Sequence, residues 1–178
     1  RLPPHDGQPM HIRIRGTIPK ASGLGSSAAL SVALCGALQQ IRDEAIDPVQ
    51  ASVLSHLAEA EAQGGRASPM DTATSSLGGF VVLSDAIEEG LDYIETRTMD
   101  VNGETRKWHL HTFNAQIPEG VALVVGNTGV RGSTSAMVDQ VARLIETSPK
   151  RKVELETIGA IARRGIQSLQ EGDMEAVG

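Results

Sequence analysis

The apolar positions repeat with a helical period in some stretches and with a period of two in others. "MHIRIRGTI", Met10 to Ile18, alternates apolar and polar residues and predicts a half-buried strand. A dense apolar run follows, predicting a core helix over roughly Ser26 to Arg42. "DPVQ", Asp47 to Gln50, carries a helix start: Asp47 can cap, Pro48 suits the first position and Gln50 lies three residues on. That second helix runs to about Gln63 and stops at Gly64-Gly65. "GRASPMDTATSSLGG", Gly65 to Gly79, reads as a loop of small polar residues, and "FVVLS" after it as a strand. Asn102-Gly103 predicts a hairpin turn between strands within "MDVNGETRKWHLH". "GVALVVGNTG", Gly120 to Gly129, predicts a buried strand feeding another loop. "TSAMVDQVARLIE" and "LETIGAIARRGIQSLQ" predict amphipathic helices. No internal repeat is present, and a composition change near Pro118 is the best candidate for a domain boundary.

Composition narrows the function classes. With 178 residues, 40% hydrophobic and 21% charged, the chain has the make-up of an ordinary globular protein of one large or two small domains. The helix after Ser26 is diluted by Ser, Ala and Gly, which favours a core element over a membrane span. A net charge of −6 and an aromatic content of 2% leave no basic face or stacking platform for nucleic acid. The single cysteine, Cys35, excludes a disulfide within the chain and reads as a small buried hydrophobe in a reducing, cytoplasmic setting. The chain begins at Arg1 without methionine, shows no signal peptide and stops just after a helical pattern, which suggests a fragment of a longer protein.

The glycine- and serine-rich stretch before the first helix is the leading candidate for chemistry. A helix N-terminus leaves its first N–H groups without intrahelical partners and carries the positive end of the macrodipole. Gly23, Gly25, Ser26 and Ser27 remove side-chain bulk there, so an anion such as phosphate can touch the backbone. The nucleotide loop G-x-x-x-x-G-K-[ST] is absent, since no glycine precedes a lysine. The dinucleotide pattern G-x-G-x-x-G fails as well, because Ala28 stands where the third glycine belongs. A tight turn into a closely packed helix is the plain structural alternative.

"PKASGLGSSAA", Pro19 to Ala29, resembles the second motif of the GHMP kinases, P-x-x-x-G-L-G-S-S-A. "GGRASPMDTATSSLGG" resembles the mevalonate kinase version of the segment that carries a catalytic aspartate, and "VVGNTGVRGSTSAMV" resembles that family's later strand and threonine-rich loop. The likeness covers nearly the whole chain and is strongest to archaeal-type mevalonate kinases. It implies an α+β fold, with a ribosomal protein S5 domain 2-like N-terminal domain over residues 1–117, incomplete at its start. Residues 118–178 would begin a ferredoxin-like C-terminal domain, incomplete at its end.

The resemblance also implies roles. The loop Pro19, Lys20, Ala21, Ser22, Gly23, Leu24, Gly25, Ser26, Ser27, Ala28 and Ala29 would wrap the phosphates of ATP. Ser27 would be a Mg²⁺ ligand, together with a glutamate from the second helix. "AEAEAQGG" offers Glu59 and Glu61: the family pattern E-x-E-x-Q-G selects Glu59, whereas a helical wheel puts Glu61 nearer the side of Val53, Leu54 and Leu57. Glu59 is preferred and Glu61 stays open. Asp71 would be the base that takes the proton from mevalonate's hydroxyl. The family's N-terminal lysine and its third, glycine-rich motif are not in this chain. Lys20 reads as a surface or phosphate-proximal cation, Arg131 is left unassigned, and His109 and His111 read as a plain pair on one strand face rather than metal ligands. Rival acceptors are homoserine and phosphomevalonate, and a non-catalytic nucleotide-binding relative is the rival class. No membrane or nucleic-acid partner is expected, and a homodimer stays open.

Overall fold

The computed structural model describes the chain except residues 1–6, 8, 20–21, 66, 102, 116, 127–128 and 130–133. The readings placed on Lys20, Ala21, Asn102, Arg131 and much of the threonine-rich loop therefore lie outside the described residues. Helices α1 (Ser26–Ile41), α2 (Pro48–Ala62) and α3 (Met70–Leu77) precede strands β1 (Phe80–Ser84), β2 (Asp92–Val101) and β3 (Glu104–Phe113). Helices α4 (Thr134–Thr147), α5 (Pro149–Glu171) and α6 (Met174–Val177) follow. The chain is thus α+β in character, three helices packed on a small antiparallel sheet of order β1-β3-β2.

Local signals set the helix ends. The Asp47 carboxylate accepts from the N–H of Val49 at 2.9 Å, with Pro48 at the first helical position of α2. At the other end Gly64 takes a positive φ of 62°, and the N–H of Gly65 reaches back to the carbonyl of Ala60 at 2.7 Å, closing a Schellman turn. Helix α1 ends in the same manner, with Asp43 in the left-handed position and the N–H of Glu44 on the carbonyl of Gln39.

Small side chains form the helical core. Ala28, Ala51, Ala60 and Ala73 are buried, which lets α1, α2 and α3 approach closely. The sheet closes the other side. Arg97 and Trp108 are cross-strand partners on β2 and β3. The Arg97 guanidinium donates to the backbone oxygen of Ser52 (3.4 Å) and to its hydroxyl (3.3 Å), pairs with Glu95, and so clasps the sheet to α2. The Trp108 ring meets His56 edge-on at 5.7 Å. Cys35 is buried, as its apolar neighbours in the sequence suggest, and burial pushes its thiol pKa up.

Three expectations are corrected. Residues 10–18 form no strand: Ile12, Ile14 and Ile18 are exposed and line a groove with Leu30, Ala33 and Leu34 of α1. Residues 120–126 form none either, and Leu123 and Val124 are 91% and 88% exposed. The reason is shared. A strand exists only as a hydrogen-bonded pair, and among the described residues β3 has both sides taken by β1 and β2 while neither stretch joins the sheet.

The third correction concerns 65–79, where a helix, α3, replaces the expected loop. Three of its hydroxyls are turned back onto the chain. Thr72 donates to the carbonyl of Pro69 at 3.1 Å, Thr74 to that of Met70 at 2.9 Å, and Ser76 to that of Pro48 at 2.5 Å. A Ser/Thr-rich segment disfavours helix mainly because those hydroxyls compete for backbone groups. Here Thr72, Thr74 and Ser76 each have a carbonyl partner that the helical geometry supplies or that the neighbouring α2 presents.

Candidate phosphoryl-transfer site

The start of α1 is bare. Its N-cap, Gly25, is left-handed at φ 64°, and no side chain caps the helix. The leading amides therefore point outward with the positive end of the helix dipole behind them. In the loop ahead, Ser22 donates to the carbonyl of Pro19 at 2.8 Å and Gly23 takes φ 75°. A methyl group built on Gly25 would lie 3.5 Å from Asp71 Cγ and 3.7 Å from its Oδ2. Glycine is needed here for the backbone angle, and at these distances a methyl would make only ordinary contact with the carboxylate beside it.

Asp71 stands in the first turn of α3, where the helix dipole favours a carboxylate, and it is exposed to solvent. Two helix N-termini thus converge on one exposed acid. A group carrying both negative charge and a hydroxyl could meet amides from one side and a proton acceptor from the other.

The third element comes from α2. The Ser27 hydroxyl donates to Glu59 Oε1 at 2.5 Å, across 32 positions of sequence. Glu59 is 8% exposed, whereas Glu61 is exposed. The wheel reading of α2 is overturned: the helix buries Ala51, Ser52, Ser55, His56, Glu59 and Ala60, and leaves Leu57 outside. What α2 faces decides this. Its neighbours offer alanine surfaces, the Arg97 guanidinium and the Trp108 ring, which suit small and polar side chains.

Among the described residues no three His, Cys, Asp or Glu side chains cluster for a metal. The Ser27–Glu59 pair nevertheless suits Mg²⁺, a hard ion that takes one or two protein oxygens and completes its shell with phosphate and water. A carboxylate this buried, bonded to a hydroxyl, is also a group that gains from a nearby cation.

His109 and His111 are engaged locally. His109 Nδ1 bonds the Thr96 hydroxyl at 2.8 Å, and His111 Nε2 accepts from the N–H of Glu88 at 3.1 Å. One residue next to the site was not singled out in the sequence. His56, 1% exposed, holds the carbonyl of Ala67 at 3.1 Å, and burial chiefly lowers its pKa. Its i, i+3 spacing from Glu59 was the available signal, since that spacing puts both on one face of α2.

Comparison with known proteins adds an independent line. Residues 1–79 match the family described as GHMP kinases N terminal domain. A mevalonate kinase of Methanothermobacter thermautotrophicus is 41% identical over 108 residues, covering 58% of this chain and 35% of that protein. One from Pyrococcus abyssi is 30% identical over 139 residues, covering 78% of this chain and 34% of that protein. A galactokinase of Haemophilus influenzae is 29% identical over 127 residues, covering 71% and 28%. The chain therefore spans about a third of the length of the curated relatives it matches. No solved structure matches.

Proposed function

The chain belongs to the GHMP kinases, and from that premise we propose that the protein transfers the γ-phosphoryl group of ATP to the 5-hydroxyl of mevalonate. The observation that carries the reading is the Asp71 carboxylate lying against Gly25, at the uncapped start of α1. In this reading the backbone of Pro19–Ala29 binds the triphosphate, with the α1 amides as donors and glycine at 23 and 25 allowing close approach. Lys20, in that loop, adds positive charge near the phosphates. Asp71 accepts the proton that the acceptor hydroxyl loses as the new phosphorus–oxygen bond forms. Ser27 and Glu59 would hold Mg²⁺, which would neutralise charge on the phosphate oxygens. Holding donor, acceptor and base in line supplies most of the acceleration.

The same reading assigns residues 1–117 to an S5 domain 2-like ATP-binding domain and residues 118–178 to the beginning of a ferredoxin-like domain, in a cytoplasmic enzyme of isoprenoid synthesis. No helix among the described residues is long and apolar enough to cross a membrane. Mevalonate is favoured over other acceptors by the mevalonate kinases among the relatives. An ATP-coupled assay of the intact protein with mevalonate, homoserine and phosphomevalonate tests the substrate: turnover with mevalonate is expected, and a preference for either rival removes the choice. Asp71→Asn is expected to abolish turnover, by at least about 10²-fold, with ATP binding within a few-fold of the parent. Unchanged turnover would rule out the base, and ATP binding without any turnover in the parent would favour a non-catalytic relative.

A further inference from the structure

We propose that His56 is a positioning residue that fixes the segment leading into α3, and thereby the Asp71 carboxylate, through the N–H it donates to the carbonyl of Ala67. The inference rests on the reading of Asp71 above, but its geometry stands separately. After the Schellman turn at Gly64-Gly65 the chain must cross from α2 to α3 in a few residues. In that crossing Ala67 and Pro69 are buried, and Asp71 lies four positions beyond Ala67. A carbonyl oxygen only accepts, so the 3.1 Å contact requires the proton on His56 Nε2.

That assignment leaves Nδ1 as the other ring nitrogen, and it is buried without a hydrogen-bond partner. An unpaired buried nitrogen costs stability, which leaves the bond to the Ala67 carbonyl as the ring's hydrogen-bond anchor among the described residues. The ring is also prevented from swinging away, because Trp108 closes on it edge-on at 5.7 Å from β3. Arg97 locks that strand pair to Ser52, one turn earlier on α2. The sheet, α2 and the start of α3 thus meet at one imidazole. Misplacing a reacting group by about 1 Å can cost about 10²-fold in rate, so a tether four residues from the carboxylate has leverage on turnover without touching any reactant.

The test uses two polar substitutions of similar size in the intact protein. In His56→Gln the side-chain amide N–H can reach the Ala67 carbonyl; in His56→Asn the amide stops short. His56→Asn is expected to lower kcat by about 10- to 100-fold with the KM for ATP within about threefold, and His56→Gln to restore most of kcat. Backbone hydrogen exchange over residues 67–74 should rise in His56→Asn and return toward the parent in His56→Gln. Equal kcat and equal exchange in the two variants would overturn the proposal, as would loss of the fold in both, which would make His56 a general stability residue. The exchange readout does not depend on activity, so a failure of the Asp71 reading, visible as unchanged turnover in Asp71→Asn, or of the kinase reading, visible as no turnover in the parent, is distinguishable from a failure of the tether.

Discussion

Residues 26–113 and residues 134–178 both fold into regular elements, but among the described residues only the first part has an interior. Ala28, Cys35, Ala51, Ala73, Leu110 and Phe113 are buried there, whereas α5 buries none of its residues. Helix α5 is still well specified: Pro149 at its first position, Gly172 left-handed at its end and a hydroxyl of Thr157 on the carbonyl of Val153. Val153, Leu155, Ile158 and Ile161 nevertheless stand exposed along it, as Met137, Val138, Val141 and Leu144 do on α4. Helical periodicity therefore reports that a segment can be a helix with an apolar side. It does not report what, within a given stretch of chain, covers that side. The proposed base and metal ligands sit in the part that has an interior, where burial can hold Glu59, His56 and the Asp71 turn in place.

The sharpest way to test the contrast is truncation. Leu110→Ala, in a fully buried position, is expected to cost about 2–5 kcal/mol, and Ile161→Ala, on exposed α5, to stay within about 0.5 kcal/mol. Denaturant unfolding of both variants measures it. An equal loss at Ile161 would mean that the α5 stripe is covered in the working protein and that the two parts differ less than their exposures indicate.

A smaller effect should appear with pH. Burial holds the His56 pKa below its ordinary 6.5, so the unfolded chain binds that proton more tightly than the folded one. The stability tied to a neutral His56 is full above about 6.5 and is lost as the pH falls below it. The thermal midpoint of the parent should fall across that window, and His56→Gln should flatten the slope. A midpoint equally pH-dependent in both would assign the effect to other groups.

The smallest effect concerns the link between the two parts. Arg163 on α5 pairs with Glu88, in the β1–β2 connection, at 3.1 Å, and Gln170 donates to the carbonyl of Gly90. The pair is solvent-exposed on the arginine side, so Arg163→Ala should leave the melting temperature unchanged at physiological salt. It should still be visible locally. The Ser84 hydroxyl first, and Arg163 second, hold the Glu88 carboxyl below its ordinary pKa. A carboxyl titration by NMR should move upward in Arg163→Ala, and further in Ser84→Ala. The reverse order would show that the ion pair with α5, not the local hydroxyl, dominates there.

How far the sequence was readable follows the range of the forces involved. The ends of α2 could be read because Asp47, Pro48, Gly64 and Gly65 act on backbone groups a few residues away. The β2–β3 hairpin could be read because a turn pairs Val101 with Glu104 directly across it. Helix α3 could not, since Ser76 reaches the carbonyl of Pro48, 28 positions back. The choice between Glu59 and Glu61 was open for a related reason. A wheel ranks sides by hydrophobicity, but α2 turns inward the side that matches alanines, an arginine and a tryptophan ring on its neighbours.

By itself, then, the sequence determined helices α1, α2, α4 and α5, the hairpin and a bare, glycine-bounded helix start at Ser26, because caps, turns and glycine conformations are local properties. Tertiary packing alone decided that the Ser27 hydroxyl meets Glu59, that Asp71 lies against Gly25 and that the apolar stretches at 10–18 and 120–126 are not strands. Each of those outcomes depends on a partner distant in sequence, and a side chain's own chemistry does not name its partner.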